Sequence, residues 1–439
     1  MNVERALREA DLAHLWHPFT PARALADVEF PIIERAEGVR LYDVGGRSYL
    51  DGISSWWCVN LGHRPPRVMN AIRAQLDLLD QSILGGMSHV NAIKLAARLA
   101  GLAPAGLARV LFASDGASAV EAALKIALQY QAQTGAPERR RFAALQDAYH
   151  GDTLGAVGVG FVERFHRSFA AAVAPALKAA APHCFHCPRG KRPESCRTEC
   201  FDSMEQIAAE HGASIAAVII EPMCQGAAGM RIYPADYLRK LRRLCDEHGL
   251  LLIADEIAVG FGRTGRLFAC EHAGITPDIM CLGKALTGGV LPLSATLVTE
   301  TIYSAFGDDD GRDGTFYHGH TTCGSPITAA AALAVCDAFT EDAVLDRAAP
   351  VMEALAGGFE RLARAPGIHR AATLGMASAL EISPSAGGAG RARACARAAL
   401  DRGLFIRPLG NILYLWPPLT TTADELARML ALLEEALRA

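Results

Sequence analysis

Long apolar runs are missing from this sequence. Runs such as AAVII (216–220) and LLLIA (250–254) suit buried strands. Both fall well short of the roughly 20 residues that a membrane-spanning helix needs. No run of basic residues occurs, and the net charge is −4, so nucleic acid is not an expected partner. The opening MNVERALREADLAHLW mixes Glu4, Glu9 and Asp11 with its arginines and holds no apolar core, so a targeting segment is not expected. The cysteine framework of a small secreted domain is absent as well. Most of the 12 cysteines in 439 residues stand singly in apolar runs, as Cys224, Cys281 and Cys336 do. A reduced thiol there behaves as a small hydrophobe. What is present is an ordinary globular balance, 51% hydrophobic and 21% charged. The expectation is a cytoplasmic enzyme of small-molecule metabolism, built from roughly two to four units.

Strand-like and helix-like runs alternate through the middle of the chain. RVLFAS (109–114) precedes SAVEAALKIALQYQ (118–131), in which Val120, Ala123, Leu124, Ala127 and Leu128 mark one helical face. FAALQDA (142–148), AAVIIEP (216–222), LLLIADE (250–256), DIMCLG (278–283) and LSATLVT (293–299) follow as further strands. Apolar strands separated by helices predict an α/β fold with a mostly parallel sheet covered on both faces. Sites in such sheets lie at the carboxyl ends of the strands. The polar punctuation there is Ser114-Asp115-Gly116, Asp147, Glu221, Asp255-Glu256 and Lys284.

Three units are expected: an N-terminal segment (1–65), a large domain (66–325) and a small C-terminal α+β domain (326–439), the first packing with the last. Within the first, GVRLYDVGGRSYLDG predicts a hairpin turning at Gly45-Gly46. GDDDGRDG (307–314) reads as an exposed loop, and 383–400 as a loop entering a helix.

Gly260-Phe261-Gly262-Arg263-Thr264-Gly265 spells G-x-G-x-x-G. A dinucleotide-binding loop needs its first glycine directly after the strand and its last opening a helix. Here several residues separate Gly260 from the strand end, and RLFACEHAG after Gly265 carries no helix start, so the pattern is not read as a nicotinamide site.

Asp255 makes better sense beside Lys284, 29 residues on and just past the next strand. In a parallel sheet both project from one edge. An amine that links to an aldehyde and a carboxylate that keeps a pyridine nitrogen protonated suit pyridoxal phosphate chemistry. A phosphate site is offered by FASDGASAVEAALK, where Gly116 and Ala117 begin a helix.

The segment DEIAVGFGRTGRLFACEHAGITPDIMCLGKALTGG resembles the signature of the class III (ω-type) aminotransferases, fold-type I pyridoxal phosphate enzymes. LWHPFT, DGISSWWCVNLGH, YHGDTLGA, EPMCQGAAGM, YHGHTTCGSP and IRPLGNILYLWPPL further resemble the branch of that family that aminates 8-amino-7-oxononanoate in biotin biosynthesis. The match is collinear from about residue 12 to about 435. It implies that Lys284 carries the cofactor and the migrating proton, that Asp255 pairs with the pyridine nitrogen, and that Tyr149 stacks on the ring. Glu221 would lie near the cofactor, and Asp152 would contact the substrate amine. Thr321 would reach the phosphate from the other subunit of a homodimer. Arg407 would take the substrate carboxylate through its planar fork. Trp56 and Trp57 would wall the nine-carbon chain, with Phe19 and Gly319 also at the substrate.

The sequence departs from the branch in three places. Phe19 stands where the adenosylmethionine-using members carry a tyrosine, and His320 where they carry a proline. Both features resemble members that use lysine as amino donor, while the intact Trp56–Trp57 pair argues for S-adenosylmethionine. Asp115 replaces a Ser or Asn in the phosphate turn, where a carboxylate is repulsive unless it points away or caps the helix. Tyr42 and Tyr317 are candidate replacements for the missing hydroxyl. Cys184, Cys187, Cys196 and Cys200 have C-x2-C-x8-C-x3-C spacing, close to a zinc ribbon; a reduced surface insert is the preferred reading, and no metal is assigned. The alternative functions are another ω-aminotransferase acting on a diamine or ω-amino acid, and an isomerase or decarboxylase that shares Asp255 and Lys284.

Overall fold

The computed structural model describes residues 3–23, 30–192, 195–307 and 313–439. Most of the acidic loop at 307–314 therefore lies outside the described residues.

The strands, in chain order, are β1 (Ile33–Glu37), β2 (Arg40–Asp43), β3 (Ser48–Asp51), β4 (Leu107–Ala113), β5 (Arg141–Leu145), β6 (Leu177–Ala179), β7 (Ile215–Ile220) and β8 (Cys224–Gln225). They continue with β9 (Arg231–Ile232), β10 (Leu251–Asp255), β11 (Ile279–Leu282), β12 (Ser294–Thr299), β13 (Ile368–Leu374), β14 (Ala377–Ile382), β15 (Leu404–Phe405) and β16 (Ile412–Leu415). The expected central sheet has seven strands in the order β4-β12-β11-β10-β7-β5-β6. β7 and β10 are buried at every position, as strands covered on both faces must be. The helix Gly116–Gln133 buries Val120, Ala123, Leu124 and Ala127 against the sheet, whereas Leu128 is only half-buried.

One strand departs from the parallel expectation. β12 runs antiparallel to both β11 and β4. Its composition is that of any buried strand, and direction leaves no mark on such a run. Two reversals cancel, so β4 still ends at the same edge as β11.

The register then collects the polar strand ends. Ala254 is level with Ile220, and Asp255 with Cys281, so Glu221, Asp255 and Lys284 emerge together. The hairpin at Gly45-Gly46 forms; Asp43 Oδ1 accepts from the backbone N–H of Gly45 and Arg47 and so locks the turn. β3 is joined in parallel by β15, which gives the sheet order β1-β2-β3-β15. Asp51 pairs with Phe405 there, two residues before Arg407.

The glycine-rich 260–265 segment forms turns. RLFACEHAG, expected to hold no helix start, does form one short 3-10 turn at Ala269–His272, closed by the Glu271 carboxylate accepting from the Phe268 N–H. It begins four residues after Gly265 and is not opened by that glycine. Gly262 has φ +87°, and a Cβ on it would lie 2.7 Å from Leu419. Arg263 is buried and donates to the carbonyls of Met376 and Pro417. The segment is a wedge between parts of the chain.

Candidate active site

Two adjoining cavities open at the carboxyl edge of the sheet, and Trp57, Tyr149 and Lys284 line both. The smaller, about 500 Å³, also takes in Asp255, Gly116 and Ala117. The larger, about 1030 Å³, extends past Trp56, Phe19 and Arg407.

Lys284 follows β11 with φ +40°, a left-handed conformation that a lysine holds only when its surroundings impose it. Its Nζ lies 5.5 Å from the centre of the Trp57 ring. Burial pushes the ammonium below the usual lysine range, while the charge of Asp255 pulls in the opposite direction. Asp255 is buried at the end of β10. Its Oδ1 accepts from the N–H of Ile257, and its Oδ2 lies 2.7 Å from His150 Nδ1. Since an ionised carboxylate only accepts, His150 carries its proton on Nδ1. His150 Nε2 is buried with no hydrogen-bond partner among the described residues, and the residue lines the smaller cavity.

Glu221 accepts from the N–H groups of Tyr149 and Gly226. Burial, with Asp255 adding, raises its carboxyl to about 8. Tyr149 donates its hydroxyl to Asp152 at 2.9 Å and stacks on the His166 ring at 5.9 Å. Burial, and then Asp152, push that phenol well above the usual tyrosine range. Gly116 and Ala117 open their helix at this cavity. Asp115 also lines this cavity, and its carboxylate accepts from the N–H and hydroxyl of Ser118, so it serves as the cap of the helix.

The larger cavity is walled by aromatic rings. Phe19 meets Trp56 and Phe165 edge-on, each at 5.5 Å. The Arg407 guanidinium lies over Trp56 at 4.6 Å and donates to the Phe19 carbonyl. Burial holds its pKa below the usual arginine range. Trp57 donates from Nε1 to the Tyr414 hydroxyl at 3.2 Å. Four consecutive residues, Ser54, Ser55, Trp56 and Trp57, have φ of 49°, 42°, 72° and 73°. A left-handed turn of non-glycine residues costs roughly 1–2 kcal/mol per residue, so this wall is strained into place.

Gly319 and Thr321 are not brought to these cavities within one chain. Both are exposed, and the Thr321 carbonyl accepts from Gln81 on the surface. Tyr42 and Tyr317 line neither cavity: Tyr42 lies under Arg35, and the Tyr317 hydroxyl donates to Asp313. Another tyrosine, Tyr414, does line the larger cavity, with its hydroxyl accepting from Trp57. Tyr414, His150 and Phe165 escaped the sequence reading, although His150 stands within the YHGD motif and Tyr414 within ILYLWPP. His320 meets Ser114 at 3.0 Å, beside the phosphate turn. Glu256 is buried away from the site and accepts from the N–H groups of Ala269 and Cys270. In the cysteine loop Cys200 is buried, Cys184, Cys187 and Cys196 are half-buried, and all four are free thiols.

The donor set fits pyridoxal phosphate: a half-buried lysine disposed to lose its charge, a carboxylate fixed by a histidine, an aromatic ring and a helix start surround one cavity. The comparisons agree. Residues 23–437 match the class-III aminotransferase family. The chain is 44% identical to the adenosylmethionine-8-amino-7-oxononanoate aminotransferase of Nitratidesulfovibrio vulgaris, over 96% of this chain and 79% of that protein. It is 40% identical to the enzyme of the same name from Geobacter sulfurreducens, over 99% and 97%. The crystal structure of the Methanocaldococcus jannaschii enzyme of that name superposes with a TM-score of 0.94 at 34% identity, covering 99% of both chains. A PLP-bound amine transaminase from an uncultivated Pseudomonas species superposes with a TM-score of 0.91 at 37% identity, covering 97% of this chain and 98% of that one. The chain belongs to the class-III aminotransferases, enzymes that work with pyridoxal 5′-phosphate.

Proposed function

We propose that this aminotransferase moves an amino group from S-adenosylmethionine to the ketone of 8-amino-7-oxononanoate, yielding 7,8-diaminononanoate for biotin synthesis. The observation that carries this reading is the larger cavity, which runs from Lys284 along an aromatic wall to the fork of Arg407, with Arg164 and Arg231 also on its lining. A nine-carbon amino-keto acid has that pattern of a reactive end, an apolar middle and a carboxylate.

When bound, pyridoxal phosphate supplies the carbonyl that receives the amine and the ring that draws electrons from the bond being broken. Lys284 anchors it and afterwards carries a proton on Nζ; burial, by favouring the neutral amine, prepares it for that. Asp255, fixed by His150, holds the proton on the ring nitrogen. Gly116 and Ala117 receive the phosphate at the start of their helix. Tyr149 packs on the ring, with its hydroxyl held by Asp152. Glu221, raised to about 8, lies beside the Asp255 end of the site. Trp56, Trp57 and Phe19 exclude water along the chain of the substrate, and Arg407 takes its carboxylate bidentately.

A homodimer is part of the proposal. Thr321 and Gly319 are exposed in one chain, which suits donation to the phosphate and substrate of a second copy. Sedimentation equilibrium showing only monomer would count against it.

Two features support lysine as a second candidate donor, namely Phe19 in place of a tyrosine and His320 beside Ser114. Another ω-aminotransferase, acting on a diamine or ω-amino acid, is the wider alternative, because transaminases of other names share the fold at TM-scores of 0.91–0.94. A half-reaction separates these readings. The yellow enzyme is treated with S-adenosylmethionine or L-lysine, and loss of its colour is followed. 8-Amino-7-oxononanoate is then added. Bleaching by S-adenosylmethionine and return of the yellow form with diaminononanoate is the expected result. Bleaching by lysine alone transfers the donor role to lysine. Failure of the keto acid to restore the colour refutes the substrate.

A further inference from the structure

Asp51 touches neither Lys284 nor Arg407, yet it stands beneath the wall between them. Its carboxylate is fully buried at the end of β3. Oδ1 accepts from the N–H groups of Ser55 at 3.0 Å and Ile53 at 3.3 Å. Oδ2 accepts from the Ser55 hydroxyl at 2.7 Å and lies 2.9 Å from His63 Nε2. Three of these four partners belong to the left-handed turn or to the residue before it. Nothing in Ser-Ser-Trp-Trp favours positive φ by itself, since neither glycine nor asparagine is present.

The consequences run outward from the turn. Trp57 is pressed against Trp416 at 5.2 Å and Tyr414 at 6.2 Å, while Trp56 is directed to Phe19 and Arg407. A right-handed Ser54–Trp57 would carry both indoles elsewhere. β3 pairing with β15 places Arg407 close by, so one buried carboxylate sits where the aromatic wall and its terminal cation are aligned.

We infer that Asp51 is a positioning residue for the acceptor: its buried carboxylate holds Ser54–Trp57 in the left-handed turn, and it acts on substrate through Trp56 and Trp57. The inference rests on the acceptor reading above and deepens it. The geometry assigns the effect to the shape of the turn, and a long-range effect of the Asp51 charge on the lysine is the rival to be separated from it.

Three variants of the full-length enzyme make the separation. Asp51→Ala removes every acceptor. Asp51→Asn keeps the Oδ1 acceptor and the shape without the charge. Asp51→Ala combined with Ser55→Gly restores, at the tightest left-handed position, a residue that adopts φ 42° without steric cost. Two readouts are taken: KM and kcat for 8-amino-7-oxononanoate, and the far-ultraviolet circular dichroism couplet of the Trp57–Trp416 pair in cofactor-free protein.

Asp51→Ala is expected to raise KM by a factor on the order of ten to a hundred, kcat changing far less, and to diminish the couplet. Asp51→Asn stays near wild type, and Ser55→Gly recovers part of both losses. A folded Asp51→Ala with unchanged KM and couplet overturns the inference. So does a raised KM that Ser55→Gly leaves untouched, because the charge would then be responsible. Should Asp51→Ala not fold, Asp51→Asn decides: near-normal KM upholds the inference, and a large rise refutes it. If wild-type enzyme does not accept the keto acid at all, the acceptor reading fails, and the couplet still reports whether Asp51 holds the turn.

Discussion

Replacing Arg407 by methionine tests how the large cavity recognises its ligand. Methionine keeps an unbranched apolar stem against Trp56, where the guanidinium now lies 4.6 Å from the ring, and it loses the fork. The guanidinium is half-buried, so water replaces the lost contact poorly. A hydrogen bond to a charged group contributes about 1.5–3 kcal/mol, and two made by one fork are not additive. A loss of about 3 kcal/mol is therefore expected, equivalent to roughly 150-fold in kcat/KM for 8-amino-7-oxononanoate. The assay compares the acid with its methyl ester in both enzymes. Wild type should strongly prefer the acid, and Arg407→Met should show almost no preference. If the variant loses equal activity on acid and ester, Arg407 acts by packing on Trp56 and the carboxylate assignment is wrong.

His150→Phe removes the side-chain partner of Asp255 Oδ2 and is expected to weaken pyridoxal phosphate retention by about tenfold, read by equilibrium dialysis. Gly151→Ala places a Cβ 2.4 Å from that of Ala117 at φ +122°, which should cost roughly 1–3 kcal/mol, lower Tm and loosen cofactor binding. The carboxyl of Glu221, raised to about 8 against an ordinary 4.5, makes the folded state bind more protons than the unfolded state between those values. Its contribution to stability therefore falls as pH rises through that window, by at most about 1.4 kcal/mol per pH unit. Lys284, lowered below 10.5, acts with the opposite slope, so the diagnostic is the difference between variants. Glu221→Gln should lose less Tm between pH 5 and 8 than wild type in cofactor-free protein, and equal slopes would refute the raised carboxyl.

The chemistry at the strand ends was readable from the chain itself. Buried strands announce themselves as short apolar runs, their period and length are set by local sterics, and polar residues that interrupt them mark the edge. Asp255 and Lys284 meet because strands of fixed rise in a parallel register end level with one another. The glycine motif at 260–265 was likewise separable from a nucleotide loop by its distance from the strand. Packing between distant parts decided the rest. The reversal of β12 left no trace, since a strand buried on both faces has the same composition in either direction. Asp115 could repel or cap, and only the position of Ser118 on the formed helix selected capping. Arg407 meets Trp56 because β15 pairs with β3, an association across about 350 residues that no local pattern encodes. The left-handed Ser54–Trp57 turn runs against local preference altogether. It exists because Asp51, Trp416 and Tyr414 hold it from outside, and only tertiary contacts can offset backbone strain of that size.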